Sequence, residues 1–501
     1  MAEVSAPFPD ASRQTFAALD LGSNSFHLIV AIDQGERLQV VDRHREMVRL
    51  AEGLVDREEL SPVTSRRALA CLERLGERLR ELPARNVRVV GTNALRKARN
   101  SRSFIQRAER ALGHRIEIIS GREEARLIYL GVSHSLEDDR DSRLVVDIGG
   151  GSTEIILGRR FQPSLMESLF IGCVGLSDRF FGDGSITKGA MEDAERAARQ
   201  ELEAVEQIFL ARGWDTAIGA SGTVLAICGV AETETGAKEI TADGLRQVRE
   251  RVLEAGHVDR LDFEAVGVER APVFPGGVAI LSAVFESLRI ERMSVSDGAL
   301  REGLLHDLLG RVHDEDIRDR TVRDLAKRYH IDHDHAGRVS RTAGKLLEQV
   351  GPGWGLADPD LAAILRWGAT LHEIGLDIAH TQYHKHGGYL LDNMDLPGFS
   401  RPEQHQVSLL VRAHRRKFPI EDFADAEDIL RLCILLRIAV VLHRGRTDAP
   451  LPSFGISARG RTVRLSLPGK WLQGHPLTQL DLEQEAEYLG GGGIQLQVSA
   501  R

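Results

Sequence analysis

Two short glycine-containing loops carry residue types that bind phosphate. Each loop follows an apolar strand-like run that ends in aspartate, and each precedes a second strand-like run. In so tight a turn the backbone N–H groups point at one spot, and glycine lets the backbone approach an anion without a Cβ clash. One such loop alone is as typical of a hairpin without a ligand, whereas two at equivalent places favour a duplicated fold with a phosphate-binding cleft. The loops are Asp20-Leu21-Gly22-Ser23-Asn24-Ser25 and Asp147-Ile148-Gly149-Gly150-Gly151-Ser152-Thr153-Glu154. The predicted phosphate ligands among them are Ser23, Asn24, Ser25, Gly149, Gly150, Gly151 and Ser152.

The carboxylates beside these loops predict a cation site. Mg²⁺ usually keeps several waters and takes one or two protein carboxylates, which an aspartate at a strand end can supply. Glu154 lies two strand positions past Ser152 and therefore on the same face of the strand. We expect Asp147 and Glu154 to hold Mg²⁺ directly or through water, with Asp20 facing them from the first loop. The GK[ST] ending of a Walker A loop and the dinucleotide-binding fingerprint are both missing from these segments.

A third turn places small residues after an apolar strand and before a helix, where helix N–H groups favour anions. It runs from Ala217 to Thr223, and a plain strand-to-helix turn remains an alternative. The predicted phosphate ligands here are Gly219, Ser221, Gly222 and Thr223.

Composition limits the class of protein. The chain has 501 residues, 42% of them apolar, which predicts three or four domains. A net charge of -9 argues against a general DNA-binding protein, because binding through counterion release needs an excess of Lys and Arg. The four cysteines form no CxxC pair, so a disulfide framework is not predicted and a cytoplasmic location fits.

Targeting and membrane signals are weak. Met1 to Thr15 is polar and shows no signal peptide. The apolar run Ile429 to Leu442 is interrupted by arginines and too short for a bilayer, so we expect a buried helix and no transmembrane segment. Peripheral membrane association is left open.

The elements that must position the loops alternate between strand-like and helical patterns over the first 310 residues, which indicates an α/β architecture. From about Asp314 helices dominate to about Arg444, a region with ten of the eighteen histidines. Alternating runs then return at Thr462 to Leu467 and Ile494 to Val498. The predicted strands of the first part are Phe16 to Leu19, Phe26 to Ile32, Val87 to Val90, Ile116 to Ile119, Leu144 to Val146 and Glu154 to Leu157.

Six motifs together resemble the exopolyphosphatase and guanosine pentaphosphate phosphatase family. They are DLGSNSFH from Asp20, GTNALR from Gly91, ISGREEARLIY from Ile119, VVDIGGGSTE from Val145, GASGT from Gly219 and SDGALREG from Ser296. The resemblance implies a duplicated ribonuclease H-like fold of the actin/Hsp70/sugar-kinase type, followed by an all-α HD-like domain and a small α+β domain. The implied domains are residues 1–135, 136–312, 313–446 and 447–501, and the implied assembly is a homodimer.

The resemblance also assigns a catalytic base. Phosphoanhydride hydrolysis needs a carboxylate that orients water, and Glu123 and Glu124 are both candidates that their own sequence cannot separate. The family pattern implies Glu124. It also implies that Arg96 reaches the substrate, where a planar guanidinium suits phosphate.

The choice of substrate rests on two motifs. Long exopolyphosphatases carry GGGST and SDGALREG, whereas long pentaphosphate phosphatases tend toward GGAST and GGALREG, and this chain has Gly151 and Asp297. We therefore predict a Mg²⁺-dependent exopolyphosphatase that removes terminal phosphates processively from inorganic polyphosphate, with K⁺ as an additional activator left open. The alternatives are a guanosine pentaphosphate (pppGpp) 5′-phosphohydrolase with ppGpp as a further ligand, and a sensor of polyphosphate or alarmone.

The helical region offers two further candidate sites. A basic segment could contact the polyphosphate chain through Arg412, His414, Arg415, Arg416 and Lys417. A set of histidines is similar to the HD phosphohydrolase layout, in which His and Asp hold a divalent metal. Glu373 stands where those enzymes have Asp, and we expect a structural or polyphosphate-binding role for this domain. The set is His335, His372, Glu373, His384, His386 and His414.

Overall fold

The computed structural model describes residues 14–33, 38–54, 59–136, 141–312 and 316–501. These residues form two compact units, with the boundary between Asp316 and Ile317. The segment Met1 to Arg13 and the start of the predicted third domain at residue 313 lie outside the described residues.

Two mixed sheets form the frame of the first unit. Their strand orders are β3-β2-β1-β4-β5 and β10-β11-β9-β6-β7-β8. The strands of the first sheet are β1 Thr15–Leu21, β2 Ser25–Asp33, β3 Leu38–Met47, β4 Val87–Gly91 and β5 Glu117–Ile118. Those of the second are β6 Ser142–Ile148, β7 Thr153–Arg159, β8 Gln162–Leu169, β9 Thr216–Ala220, β10 Ile240–Thr241 and β11 Arg292–Val295.

The two sheets repeat one topology. Each starts with three antiparallel strands, and the first of these also pairs in parallel with the fourth. The register places Asp20 beside Val90 in the first sheet and Asp147 beside Ala220 in the second. The predicted duplication is therefore visible in the strand order, and the two loops leave their sheets from equivalent strand ends.

Helices cover the sheets and fill the space between them. Outer helices pack on each sheet, whereas α4 and α11 share a core with both inner sheet faces. The helices of this unit are α1 Pro62–Leu79, α2 Asn93–Lys97, α3 Ser101–Leu112, α4 Gly121–Ser135, α5 Cys173–Phe181, α6 Lys188–Arg212, α7 Ser221–Thr235, α8 Ala242–Ala255, α9 Gly267–Arg270, α10 Phe274–Leu288 and α11 Leu300–Val312. Short 3₁₀ turns lie at Leu50–Leu54, Ala84–Asn86, Val258–Arg260 and Ala271–Val273.

The six predicted strands of the first part all overlap observed strands, although Ile116 to Ile119 extends beyond the two-residue β5 at both ends. The prediction missed the short strands β10 and β11, and it missed β3 and β8, which lie beside β2 and β7 at the sheet margins. Both β3 and β8 carry several charged or polar residues and few buried ones, so their apolar pattern is weak. They form strands because their backbones complete the hydrogen bonding of β2 and β7.

The second unit is a helical bundle joined to a three-stranded sheet. Its helices are α12 Ile317–Arg328, α13 His333–Trp354, α14 Pro359–Leu371, α15 Tyr383–Asn393, α16 Arg401–Ala413, α17 Glu427–Leu442, α18 Gly469–Gly474 and α19 Pro476–Gly490, with 3₁₀ turns at Ile374–Asp377 and Ile420–Phe423. The strands β12 Gly455–Arg459, β13 Thr462–Leu467 and β14 Gln495–Ala500 form the sheet in the order β12-β13-β14.

One continuous core runs through this second unit. Val463 and Leu465 of the sheet and Leu482 of α19 belong to the same apolar cluster as the buried residues of α17. The predicted division between residues 446 and 447 therefore does not separate two cores. The prediction of a buried helix at Ile429 to Leu442 is confirmed by α17.

One helical stretch of the described residues, Gly267–Leu288, is long and apolar enough to cross a membrane. Most of it, 72% of its most apolar window, is buried inside the protein. Its side chains belong to the core around the second sheet.

A pair of glycines lets α4 and α11 approach closely. A Cβ on Gly303 would overlap the backbone carbonyl oxygen of Leu127, and one on Gly131 would overlap that of Ala299. The close approach brings the first turn of α4, which carries Glu123 and Glu124, to a fixed place between the sheets.

We predict that Gly303→Ala destabilises the protein by about 1–3 kcal/mol, because the added methyl forces two packed helices apart. Urea unfolding followed by circular dichroism measures the change. The control is Gly189→Ala on α6, where no atom lies within 4 Å of the added Cβ. An unchanged unfolding midpoint for Gly303→Ala would contradict the close approach of α4 and α11.

Candidate active site

One cleft in the first unit collects most of the predicted site residues. Its walls come from the hairpin loops β1–β2 and β6–β7, the turns before α2 and α7, and the starts of α4 and α11. The cavity has a volume of about 160 Å³. The predicted residues that line it are Asp20, Ser23, Asn24, Ser25, Glu124, Asp147, Gly149, Gly150, Gly151, Ser152, Glu154, Ser221, Gly222 and Thr223.

The second hairpin loop is closed by its own backbone. The Gly149 N–H donates to the carbonyl oxygen of Ser152 at 2.9 Å. A Cβ on Gly151 would stand 2.9 Å from both the Ser23 Oγ and the Asn93 Oδ1, so glycine keeps the two loops in close contact across the cleft. The loops therefore form one surface.

The third predicted turn divides into two parts. Ser221, at the first position of α7, has φ 78°, a left-handed conformation that is unusual outside glycine and often marks functional sites. Ser221 lines the cleft, whereas Gly219 does not. A Cβ on Gly219 would overlap Val224 and stand 2.9 Å from the sulfur of Met293, so this glycine serves packing beneath the turn.

Buried carboxylates face one another in the cleft. Burial, followed by the charge of Glu124, raises the pKa of Asp20 to about 8 and that of Asp147 to about 7. Burial also raises the pKa of Glu154, although the Ser168 hydroxyl donates to its carboxylate at 2.8 Å. Among the described residues, the Asp20 Oδ1 has no hydrogen-bond partner. Crowded carboxylates with an unpartnered oxygen fit a divalent cation such as Mg²⁺, which prefers oxygen ligands.

Glu123 and Glu124 have different surroundings. The Glu123 side chain accepts two hydrogen bonds from the Arg126 guanidinium, each 2.8 Å, and lies away from the cleft. Glu124 lines the cleft. The structure thus separates two residues that the sequence left equivalent, and only Glu124 can reach a cleft ligand.

Arg96 contacts this glutamate. Its Nη1 donates to the Glu124 Oε2 at 2.8 Å and to the backbone carbonyl of Ile119 at 2.9 Å. Arg96 does not line the cleft. Its guanidinium holds the Glu124 carboxylate in place, which differs from the predicted contact with substrate.

Three arginines that the prediction did not assign to the site also line the cleft: Arg45, Arg270 and Arg301. Among the described residues, no carboxylate lies within 4 Å of the Arg270 guanidinium, and burial and the neighbouring Arg45 lower its pKa. Such crowded positive charge suits a polyphosphate group. Arg301 lies inside the SDGALREG motif and Arg45 in a basic run, so both gave a signal, whereas no local pattern marks Arg270.

The predicted chain-binding segment in the second unit is not one exposed surface. Arg412, Arg416 and Lys417 are exposed, and Arg412 lies 3.4 Å from Asp422. Arg415 stacks over the Tyr383 ring at 4.6 Å. The prediction that His414 contacts the polyphosphate chain is wrong. This side chain is 1% exposed, and its Nδ1 donates to the carbonyl of Val411 at 2.6 Å inside the bundle.

A cleft lined by phosphate-binding turns, carboxylates and arginines, between sheets of repeated topology, defines a phosphatase of mixed α/β fold. The sequence profile of the Ppx/GppA phosphatase family matches residues 28–312, and that of Ppx/GppA phosphatase, domain III, matches residues 317–486. The chain belongs to the Ppx/GppA phosphatase family. The resemblance found in the sequence is thereby confirmed.

Similar curated proteins span almost the whole chain. A guanosine-5'-triphosphate,3'-diphosphate pyrophosphatase of Aeromonas hydrophila is 41% identical over 477 residues, which cover 94% of this chain and 96% of that protein. Proteins of the same name from Photobacterium profundum and Vibrio cholerae are 38% and 40% identical, covering 94% and 95% of this chain and 95% and 96% of theirs.

Solved structures match somewhat more than half of the chain. An exopolyphosphatase from Cytophaga hutchinsonii has a TM-score of 0.55 at 24% identity, covering 59% of this chain and 98% of that one. The Aquifex aeolicus PPX-GPPA enzyme has a TM-score of 0.50 at 26% identity, covering 58% and 98%. At 24% identity, the similarity to the Cytophaga hutchinsonii structure shows a shared fold alone.

The carboxylates predict a pH dependence of stability. Because the pKa values of Asp20 and Asp147 are raised by folding, the folded protein keeps protons that the unfolded chain releases above about pH 4. The free energy of unfolding of the cation-free protein therefore falls as the pH rises toward 8. Asp147→Asn should flatten this fall by about 1 kcal/mol or more.

Urea unfolding in chelator at about pH 5.5 and about pH 8 measures the effect. Asp193→Asn, an exposed aspartate on α6, is the control and should keep the wild-type dependence. If the stability of Asp147→Asn falls with pH as steeply as that of the wild type, folding does not raise the pKa of Asp147.

Proposed function

We propose that the chain hydrolyses the terminal 5′ phosphate of pppGpp, leaving ppGpp and orthophosphate. The observation that carries the proposal is the near full-length similarity to proteins named guanosine-5'-triphosphate,3'-diphosphate pyrophosphatase. This ranks pppGpp above polyphosphate, the reverse of the order predicted from two motif positions. The cleft supports the chemistry, since its turns and arginines suit a terminal phosphoryl group.

In this mechanism Glu124 orients a water molecule toward the terminal phosphorus. The water oxygen forms a bond to that phosphorus while the bond to the bridging oxygen breaks, and the water proton passes to Glu124. Arg96 holds the Glu124 carboxylate in position through its 2.8 Å hydrogen bond. Positively charged groups stabilise the charge on the transferred phosphoryl group, and Arg270 and Arg301 are placed to do so.

Asp20, Asp147 and Glu154 would hold Mg²⁺ in the same cleft. When bound, the ion neutralises charge on the phosphate oxygens. The carboxylates would provide the oxygen ligands, and the unpartnered Asp20 Oδ1 is available as one of these ligands.

Phosphate release from pppGpp and from long-chain polyphosphate, measured side by side with Mg²⁺, tests the proposal. We expect pppGpp to turn over faster, and faster release from polyphosphate would overturn the proposed substrate. Glu124→Gln keeps the shape of the side chain but loses the base, so kcat should fall by about 10²–10⁴-fold with substrate binding retained. Glu167→Gln, whose carboxylate pairs with Arg122 at 3.0 Å, is the matched control. Wild-type turnover in Glu124→Gln would remove Glu124 from the mechanism.

Exopolyphosphatase activity is the second candidate, favoured by Gly151 and Asp297. Of these, Gly151 lines the cleft, whereas Asp297 is exposed and does not line it. An alanine Cβ at position 151 would stand 2.9 Å from the side-chain oxygens of Ser23 and Asn93, so these side chains would have to shift. Any influence of this motif pair on substrate choice within the cleft is therefore expected from Gly151.

We predict that Gly151→Ala changes the ratio of the pppGpp and polyphosphate rates several-fold in favour of pppGpp, on the order of 1 kcal/mol of discrimination. The added methyl presses on both loops where the terminal phosphate would bind. Asp297→Gly is the control and should leave the ratio unchanged. Equal ratios for the wild type and Gly151→Ala would show that Gly151 does not select the substrate.

A further inference from the structure

A buried group of histidines in the second unit is separate from the cleft described above. His335 lies in the first turn of α13, His372 and Glu373 follow α14, and His414 follows α16. All of these side chains are nearly inaccessible, His372 and His414 at 1% exposure. They line a cavity of about 440 Å³ together with Tyr383.

The hydrogen bonds of two histidines fix which nitrogen faces the cavity. The His372 Nδ1 lies 2.8 Å from the carbonyl oxygen of Ala369, and the His414 Nδ1 lies 2.6 Å from that of Val411. A carbonyl only accepts, so each Nδ1 carries the proton. The Nε2 atoms of both residues are buried and have no hydrogen-bond partner among the described residues. Buried nitrogens of this kind are rare and need an explanation.

These unpartnered atoms can act as lone-pair donors. With its proton on Nδ1, the neutral His372 ring keeps the lone pair of Nε2 free for a ligand. The His335 Nδ1 is also without a partner in the described part of the chain. A ring held by a backbone carbonyl through one nitrogen, with the other nitrogen free, is the usual arrangement of a metal-ligating histidine.

The distances suit one ion. Ligand atoms of His335, His372 and Glu373 lie within 4.8 Å of one another, and the His372 Nε2 is 4.0 Å from the Glu373 Oε1. With metal–ligand bonds of 2.0–2.1 Å, two ligands of one ion are at most about 4.2 Å apart, so small side-chain rotations close the set. Glutamate in place of aspartate keeps a carboxylate beside His372, and Arg446 contacts the same Oε1.

We propose that His335, His372 and Glu373 bind a divalent transition-metal ion, with the His414 ring packed beside the site. Two or three imidazoles with one carboxylate favour an ion such as Zn²⁺, Co²⁺ or Mn²⁺ over Mg²⁺, which prefers oxygen. The site is a new one, distinct from the carboxylate cleft of the first unit.

The cavity beside this site is lined by more basic than acidic side chains, its carboxylates being Glu373, Asp481 and Glu485. Arg415, Arg416, Arg444 and Arg446 line it, and Arg446 also contacts the Glu373 carboxylate. An ion with a coordination position open to such a cavity would take an anionic ligand, and arginines suit phosphate in particular. The second unit thus offers a metal-assisted site for a phosphate-bearing ligand.

The test uses the full-length protein, stripped with chelator and then given Co²⁺ in excess Mg²⁺, which occupies oxygen sites. Absorption spectroscopy and elemental analysis after desalting measure the bound ion. We expect about one Co²⁺ per chain, with a visible band typical of nitrogen ligation. Inorganic phosphate, used as the probe, should perturb that band. A wild type that retains no Co²⁺ would overturn the site, and an unperturbed band would overturn the phosphate ligand.

Variants locate the ion. His372→Ala and Glu373→Gln should each weaken Co²⁺ binding at least about 10-fold. His405→Ala is the matched control, because His405 is exposed and pairs with Asp392 at 2.9 Å outside the cavity. Asp147→Asn, in the other unit, should keep the Co²⁺ band. Glu373→Gln preserves the side-chain shape and so separates ligand loss from misfolding, and a wild-type affinity in both site variants would exclude the proposed ligands.

Discussion

The crowding of buried carboxylates is the constraint on which the first unit depends. Repetition of one sheet topology places Asp20 and Asp147 at equivalent strand ends, so that they face each other with Glu124 and Glu154 nearby. Burial disfavours the ionised form of these carboxylates and their charges also repel one another, and both effects raise the pKa values of Asp20 and Asp147. Nearby positive charge offsets the repulsion, and Arg301 lowers the pKa of both aspartates. The same arrangement that costs stability prepares a cation and phosphate site.

A second group of buried charges sets the direction of Glu124. Glu123 is bound by Arg126, whose guanidinium also donates to Asp307 of α11 at 2.5 Å. These arginine charges hold the pKa of Asp307 well below its usual range. Removing one partner of so buried a pair leaves an unpaired charge, which is strongly unfavourable. The ion pairs therefore fix the rotation of α4, and the next residue, Glu124, is directed into the cleft.

Local sequence patterns were sufficient to predict the hairpin loops and several of the strands of the first unit. Both hairpin loops and the six strands of the first part follow from apolar runs interrupted by glycine, and the structure has them there. The separation of Glu123 from Glu124 depends on Asp307, which lies far along the chain, so no reading of adjacent residues could supply it. Arg270 was not predicted for the same reason. Arg96 contacts Glu124, and not the substrate as predicted, because the start of α4 lies beside it.

Substrate choice is a different kind of problem from the chemistry of the cleft. A terminal phosphoryl group is common to pppGpp and polyphosphate, and the carboxylates and Glu124 are suited to that shared group. Apart from the predicted influence of Gly151, contacts that distinguish a nucleoside from a phosphate chain are expected beyond it. A motif difference at an exposed residue such as Asp297 carries little weight for this choice, because it does not line the cleft. Similarity over almost the whole chain spans the regions in which such contacts would lie, and for that reason the proposed substrate rests on it and not on the two motif positions.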